Sequence, residues 1–459
     1  MVVKSYKLFD TRESRHRAES IRKVITMKCN RWMLVSILFA AMVAPAAAQQ
    51  QQFIVRDKLG LTGLNTTCLL LNCKVSLSLG DPSGQLFLIK IKSPLNPLLL
   101  VTVLLNQVGI VDAEPDQKVS LIEAGAGPIP ESLLSQTPVP YYTSAVWDGY
   151  ATQPAAQIIR AQQAQLDFNV TGAGVVAMID TGVDTNHPAL VPVLVNGYNF
   201  ITNTASGSET GTLQQSSAAV LDGGAGPVYL NGQTVAVLNQ SSAAVLDQGS
   251  GSDFGHGTMT AGIVHLVAPT AKIMPLIAFS SDGTGNLSDI IRATYYAAQH
   301  GSKVISMSFD VASSSKEFTS AINYATQHGV ICVASAGNDG LDEVVYPAGI
   351  SGVMGVASTS DFDVRSTFSN YGSDVWVAAP GEAIVSTYPY GTYSAGWGTS
   401  FSAPFVSGTA ALLVQISPAL NQHTAAAAIA NSVPLSNPGM GNGRLDVYQA
   451  VQAWVEAQQ

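Results

Sequence analysis

From about Ala145 to Ala450, strand-length runs dominated by apolar residues alternate with longer amphipathic stretches. The apolar runs are Val175 to Ile179, Lys272 to Phe279, Val304 to Ser308, Val330 to Ala334 and Val353 to Ala357. Helix-period stretches such as Leu287 to His300 and Ser315 to His328 fall between them. A strand that is apolar along its whole length must be covered on both faces, because a half-exposed strand would alternate. Such strands joined by helices predict an α/β fold of three layers: a mainly parallel sheet with helices on both faces. Sites in such sheets lie at the carboxyl ends of strands. Charged residues are only 12% of the 459, which suits a chain with a large buried core.

Three separate segments carry chemistry. Val175-Val176-Ala177-Met178-Ile179-Asp180-Thr181-Gly182 ends an apolar strand on a carboxylate, where the chain must turn. Gly255-His256-Gly257-Thr258 sets an imidazole between two glycines, which leave room for substrate and for close backbone approach. Gly398-Thr399-Ser400-Phe401-Ser402-Ala403-Pro404 places a serine before a proline suited to the first turn of a helix, and Phe405 to Ile416 is small and apolar enough to be buried. A serine hydroxyl becomes a useful nucleophile when an imidazole takes its proton, and a carboxylate fixes the tautomer of that imidazole. A helix N-terminus behind the serine would help to hold a developing oxyanion. Asp180, His256 and Ser400 are therefore the candidate catalytic residues, and their chain order is one in which unrelated folds assemble this constellation. Asp184 reads as a turn residue, and His187, His265, His300, His328 and His423 as ordinary surface or core histidines.

On these segments the chain resembles the subtilisin-like (subtilase, peptidase S8) serine endopeptidases, over most of residues 145–450. The resemblance implies that Asn338, in Ser335-Ala336-Gly337-Asn338-Asp339, supplies the oxyanion amide. It implies peptide substrates bound by strand addition between Ser306-Met307-Ser308-Phe309 and Gly283-Thr284-Gly285-Asn286, with a specificity pocket walled by Ser308 to Asp310 and by Ala334, Ser335, Ala336 and Gly337. Asp310 stands where the family usually has glycine; it either favours basic or polar side chains or faces solvent. No cofactor is needed for this chemistry. The family's usual calcium loop after the histidine helix is missing, since Val264-His265-Leu266 runs straight into Val267-Ala268-Pro269 and the partner position is Ala189. Asp339 to Glu343 is an acidic loop where a structural calcium could still bind. Two rivals stand beside this reading. One is a catalytically silent subtilase-like binding scaffold, although all four chemical positions are filled. The other is a serine-carboxyl peptidase, which would need a glutamate for His256 and an acid for Asn338.

The rest of the chain reads as a prepro-enzyme. Residues 1–48 form a signal peptide: Trp32 to Ala44 is an apolar run of secretory length ending at Pro45-Ala46-Ala47-Ala48, and Met27 is read as the true start. Residues 53–121 read as a small α+β unit, with a strand from Gln85 to Ile91, a helix from Asn96 to Val108 and a strand edge from Val111 to Asp116. It resembles the inhibitor-like propeptide of the family; a plain N-terminal structural subdomain is the alternative. Residues 122–144 read as a linker with the processing region, and the mature start is expected between about Gln136 and Ala155. The catalytic domain is 145–459, with an insertion at about 200–252 in which Gln-Ser-Ser-Ala-Ala-Val-Leu-Asp occurs at 215–222 and again at 240–247, read as a surface hairpin or paired turns.

From Ala145 onward there are 7 Lys and Arg against 21 Asp and Glu, so a body of net −14 follows residues 1–144 of net +5. An acidic body argues against nucleic acid and anionic membranes as partners. The expected partners are polypeptide substrates and the chain's own propeptide, for a secreted monomer without a stable membrane anchor. Of the four cysteines, Cys29 lies in the leader, Cys332 reads as a small buried hydrophobe, and the pairing of Cys68 with Cys73 stays open.

Overall fold

The computed structural model describes residues 49–121, 129–210, 228–230, 233–237, 254–311 and 313–459. The leader 1–48 and both copies of the repeated octapeptide lie outside the described residues.

The N-terminal unit is a four-stranded sheet in the order β2-β3-β1-β4 with two helices. Its elements are β1 (Gln49–Asp57), α1 (Gly60–Leu71), β2 (Cys73–Ser78), β3 (Leu86–Ser93), α2 (Pro97–Leu105) and β4 (Ile110–Pro115). Asn96 caps α2 by accepting from Leu99 N–H, with Pro97 at the first helical position. Phe53, Val55, Leu64, Ile89, Leu100 and Leu104 form its own core. Cys68 and Cys73 are bridged across the end of α1. The short strand β5 (Lys118–Leu121) then leaves this unit.

Residues expected as linker belong to the body from Ile129 on. The hairpin β6 (Pro138–Tyr141) and β7 (Ser144–Trp147) follows a 3-10 turn, and Leu133, Tyr141 and Val146 are buried in the main core. Tyr141 donates its hydroxyl to Leu266 O, so a polar tip is satisfied inside an apolar region. Three short helices come next: α3 (Asp148–Ala151), α4 (Pro154–Ile158) and α5 (Ala161–Asp167).

The body is built on a seven-stranded sheet in the order β18-β17-β16-β14-β8-β12-β9. These strands are β8 (Val175–Asp180), β9 (Tyr198–Asn199), β12 (Lys272–Ile277), β14 (Val304–Met307), β16 (Ile331–Ser335), β17 (Met354–Thr359) and β18 (Val375–Pro380). All their pairings are parallel. The inserted hairpin strands β10 (Val228–Leu230) and β11 (Gln233–Val237) extend the second sheet onto β20 (Thr392–Gly396) and β19 (Ile384–Tyr388). Alternate residues of β8 enter different cores: Val176 and Met178 join one, Ala177 and Ile179 the other. On the first face lie α6 (His256–Val267) and α9 (Thr399–Ile416); on the second, α7 (Leu287–Gln299) and α8 (Lys316–Gln327). The chain closes with α10 (Gln422–Ile429) and α11 (Val447–Glu456). Among the described residues α9 is long and apolar enough to cross a membrane, but almost all of it is buried in the body. After β8 the chain adds β12 on one side and β14 on the other, so the order reverses at β8, where crevices open at the carboxyl ends of strands.

Candidate active site

Asp180 is the last residue of β8 and His256 the first of α6. His256 Nδ1 lies 2.8 Å from Asp180 Oδ1, with both side chains buried. The carboxylate also accepts from Thr181 N–H at 2.7 Å and from Thr260 Oγ1 at 3.1 Å, so its lone pairs are used and its orientation is fixed. A carboxylate can only accept, so Nδ1 carries the proton and Nε2 is the basic nitrogen. The flanking glycines allow close packing. A side chain on Gly257 would begin 2.0 Å from Gly182 O, and one on Gly255, whose φ is +94°, would meet the Tyr388 ring.

Ser400 is the second residue of α9, so Pro404 sits beyond the first turn where the sequence suggested it would stand. Its missing N–H leaves Ser400 C=O without the helical donor four residues on. Ser308 Oγ donates to that carbonyl at 2.9 Å instead. Ser400 Oγ is buried and has no hydrogen-bond partner among the described residues. The next side chain, Phe401, holds its ring 5.7 Å from the His256 ring. The fold therefore brings Asp180 and His256 into a hydrogen bond and sets the ring of Phe401, next after Ser400, beside the imidazole. Catalytic hydrogen bonds commonly tighten only when substrate is bound.

Asn338 follows β16, and its Oδ1 accepts from Thr399 N–H at 2.9 Å and from Thr399 Oγ1 at 3.0 Å. With that end tied, the amide Nδ2 is left buried without a partner among the described residues. An unpartnered buried donor costs free energy, on the order of 1–3 kcal/mol, that a transient acceptor can offset. The arrangement is suited to an anion that exists only during reaction.

β5 lies between the two edges expected to take substrate. It pairs antiparallel with β13 (Thr284–Asn286) on one side and β15 (Phe309–Asp310) on the other. Leu121 N–H donates to Gly283 O at 2.9 Å, Gly285 pairs with Val119 and Phe309 with Leu121. Val119 and Leu121 are buried in one apolar cluster with Phe279, Leu287 and Phe309. Ser306 does not belong to this edge. Both its backbone sides are taken by β8 and β16, and Ser407 Oγ donates to its hydroxyl. Ala336 N–H is spent on Val356 O, and Gly337, with φ +99°, leads into Asn338. Asp310 Oδ2 is 3.4 Å from where a side chain on Gly337 would begin, and burial beside Asp339 and Glu343 pushes it up to about 6. It borders the expected pocket and does not stand in open solvent.

Glu209, which the sequence reading did not single out, is fully buried beside this pair. Its Oε1 accepts from Thr181 Oγ1 and from Gly255 N–H, and its Oε2 from Thr258 Oγ1, each at 2.6 Å. Burial pushes it up to about 7. It is a lone acid within the stretch expected as an insertion, with no periodic or motif signal to mark it. Among the described residues no three His, Cys, Asp or Glu side chains converge as a metal site.

Comparison with known proteins gives the family of the chain. Residues 172–448 match the model of the Subtilase family. Thermitase of Thermoactinomyces vulgaris is 33% identical over 324 residues, covering 68% of this chain and 98% of thermitase. Subtilisin BL of Lederbergia lenta is 36% identical over 173 residues, 36% of this chain and 64% of that one. Among solved structures, fervidolysin of Fervidobacterium pennivorans, a keratinolytic enzyme related to subtilisin, superposes with a TM-score of 0.65 at 22% identity. That match covers 88% of this chain and 61% of fervidolysin, and it speaks for the fold.

Proposed function

The chain belongs to the subtilase family of serine-type endopeptidases, and from that premise we propose that Asp180, His256, Ser400 and Asn338 carry its peptide hydrolysis. Ser400 Oγ attacks the substrate carbonyl while His256 Nε2 takes its proton. Asp180 holds the imidazole in the required tautomer and stabilises the imidazolium. The oxyanion is met by the Asn338 amide and the Ser400 N–H at the start of α9. His256 then protonates the leaving amine, and water, activated by the same imidazole, releases the acyl group. The observation that carries this reading is the 2.8 Å bond between His256 and Asp180 together with an Asn338 amide whose other end is tied to Thr399. Substrates are polypeptides bound in extended form between Gly283–Gly285 and Ser308–Phe309.

We further read the N-terminal unit as a propeptide that blocks the cleft until it is cut. Support comes from β5, which lies where a substrate strand would. The unit is tied to the body by Arg56 with Glu317, by Asp116 with Ser288 and by Glu114 with Ser315. Because Leu121 already pairs with Phe309, self-cleavage falls within a few residues after Leu121, earlier than the Gln136–Ala155 window. A later cut would also strip Leu133 and Tyr141 from the core. Secretion rests on the apolar run before Ala48. The test is self-processing itself: wild type should mature with a single new N-terminus, and Ser400→Ala should remain full length unless active enzyme is added. Normal maturation of isolated Ser400→Ala would overturn self-cleavage.

A further inference from the structure

Two threonine hydroxyls link the strand that ends in Asp180 to the helix that begins with His256. Thr181 Oγ1 accepts from Gly257 N–H across the gap at 3.0 Å. Thr258 Oγ1 accepts from Asp184 N–H in the opposite direction at 2.8 Å. A hydroxyl that donates elsewhere presents its lone pairs to such N–H groups, and one whose proton points at them cannot accept. Both hydroxyls donate to the same carboxylate, Glu209. Its third bond, from Gly255 N–H, secures the residue before His256.

We propose that Glu209 is a positioning residue for the reaction: as a carboxylate it fixes the direction of both threonine hydroxyls and so holds His256 in register with Asp180. That ionised form, which only accepts, prevails above about pH 7, so the kinetics below are read on the alkaline side of it. The proposal rests on the catalytic roles given above for that pair. Glu209 touches neither substrate nor the reacting atoms and acts through Thr181, Thr258 and Gly255. Its own backbone N–H donates to Val183 O, so the residue is anchored on the Asp180 side and reaches across. Among the described residues the titratable groups around it include Asp180 on β8 and Tyr388 and Tyr390 at the end of β19, with His256 following its partner Gly255. It also stands at the entry of residues 211–253 and binds Gly255 at their exit.

Glu209→Gln keeps the volume and replaces one acceptor oxygen with an NH2 donor, which must turn one hydroxyl the wrong way. Steady-state hydrolysis of an oligopeptide anilide by the mature protein is the measurement. Misplacing a general base by a fraction of an ångström to an ångström lowers turnover on the order of ten- to a hundredfold, so kcat should fall by that amount with KM almost unchanged. Thr258→Val, which is isosteric but has no hydroxyl, should lose turnover in the same way, and Thr258→Ser should lose far less. A role in packing alone would reverse the order of the two threonine variants. If Glu209→Gln does not fold, the threonine pair decides by itself. Unchanged kcat in Glu209→Gln, a loss confined to KM, or Thr258→Val as active as Thr258→Ser would overturn the proposal. A wild type with no turnover at all would instead count against the catalytic reading on which it rests.

Discussion

Asn338 is held by one end, since Thr399 donates twice to Oδ1 and the opposite NH2 is buried without a partner among the described residues. Asn338→Leu should therefore lower kcat by about 10²–10³ while KM for a peptide anilide moves little. Asp180→Asn should be harsher, on the order of 10⁴ in kcat, because an amide donor facing Nδ1 selects the wrong imidazole tautomer. The folded state should survive that change, which a thermal melt beside the kinetics would check. The residues proposed to do chemistry were legible because each sits in a run of unusual composition: an apolar strand ending on Asp180, paired glycines around His256, small residues around Ser400. Glu209 and Ser308 were not legible in these roles. One is a lone acid before a long insertion, and the other fills a carbonyl that only the placement of Pro404 leaves open. Ser306 was misread because its strand was extended one pair too far toward the interior.

At the scale of the elements, β8 and α6 meet so closely that Gly257 has no space for a side chain. Gly257→Ala should cost about 1–3 kcal/mol by overpacking, and should pull His256 away from Asp180, so activity falls further than the melting temperature suggests. The five apolar runs were legible as strands of a parallel sheet because burial on both faces removes any alternation. The elements of the N-terminal unit were half legible. Strand β3, helix α2 and strand β4 followed from their patterns, whereas α1 and β2 did not, since Gly60–Leu71 carries a leucine-rich tail without a clear polar face. The place of β5 between β13 and β15 was foreseen for a substrate and not for the chain itself, because strand addition is a non-local pairing that leaves no local pattern.

For the whole molecule the junction between N-terminal unit and body gives a pH test. Asp116 accepts from Ser288 at the start of α7, and its burial there pushes it from an ordinary 3.8 to about 6; Glu114 is raised as well. A carboxyl raised on docking holds its proton more tightly when docked, so its contribution is present below about pH 4 and is lost as pH rises through about 6. After cleavage the unit should separate from the body more readily at pH 7 than at pH 5, by on the order of tenfold, and Asp116→Asn should flatten that difference in size-exclusion chromatography. N-terminal sequencing of the body should find its first residue shortly after Leu121. The measurement that bears most directly on the whole account is labelling of the mature protein with a fluorophosphonate, followed by mapping of the modified peptide. The account expects one label, on Ser400 in the peptide that opens α9, and none in Ser400→Ala or His256→Ala that has been matured by added active enzyme and then freed of it. A label on another serine, or one that persists in Ser400→Ala, would contradict it.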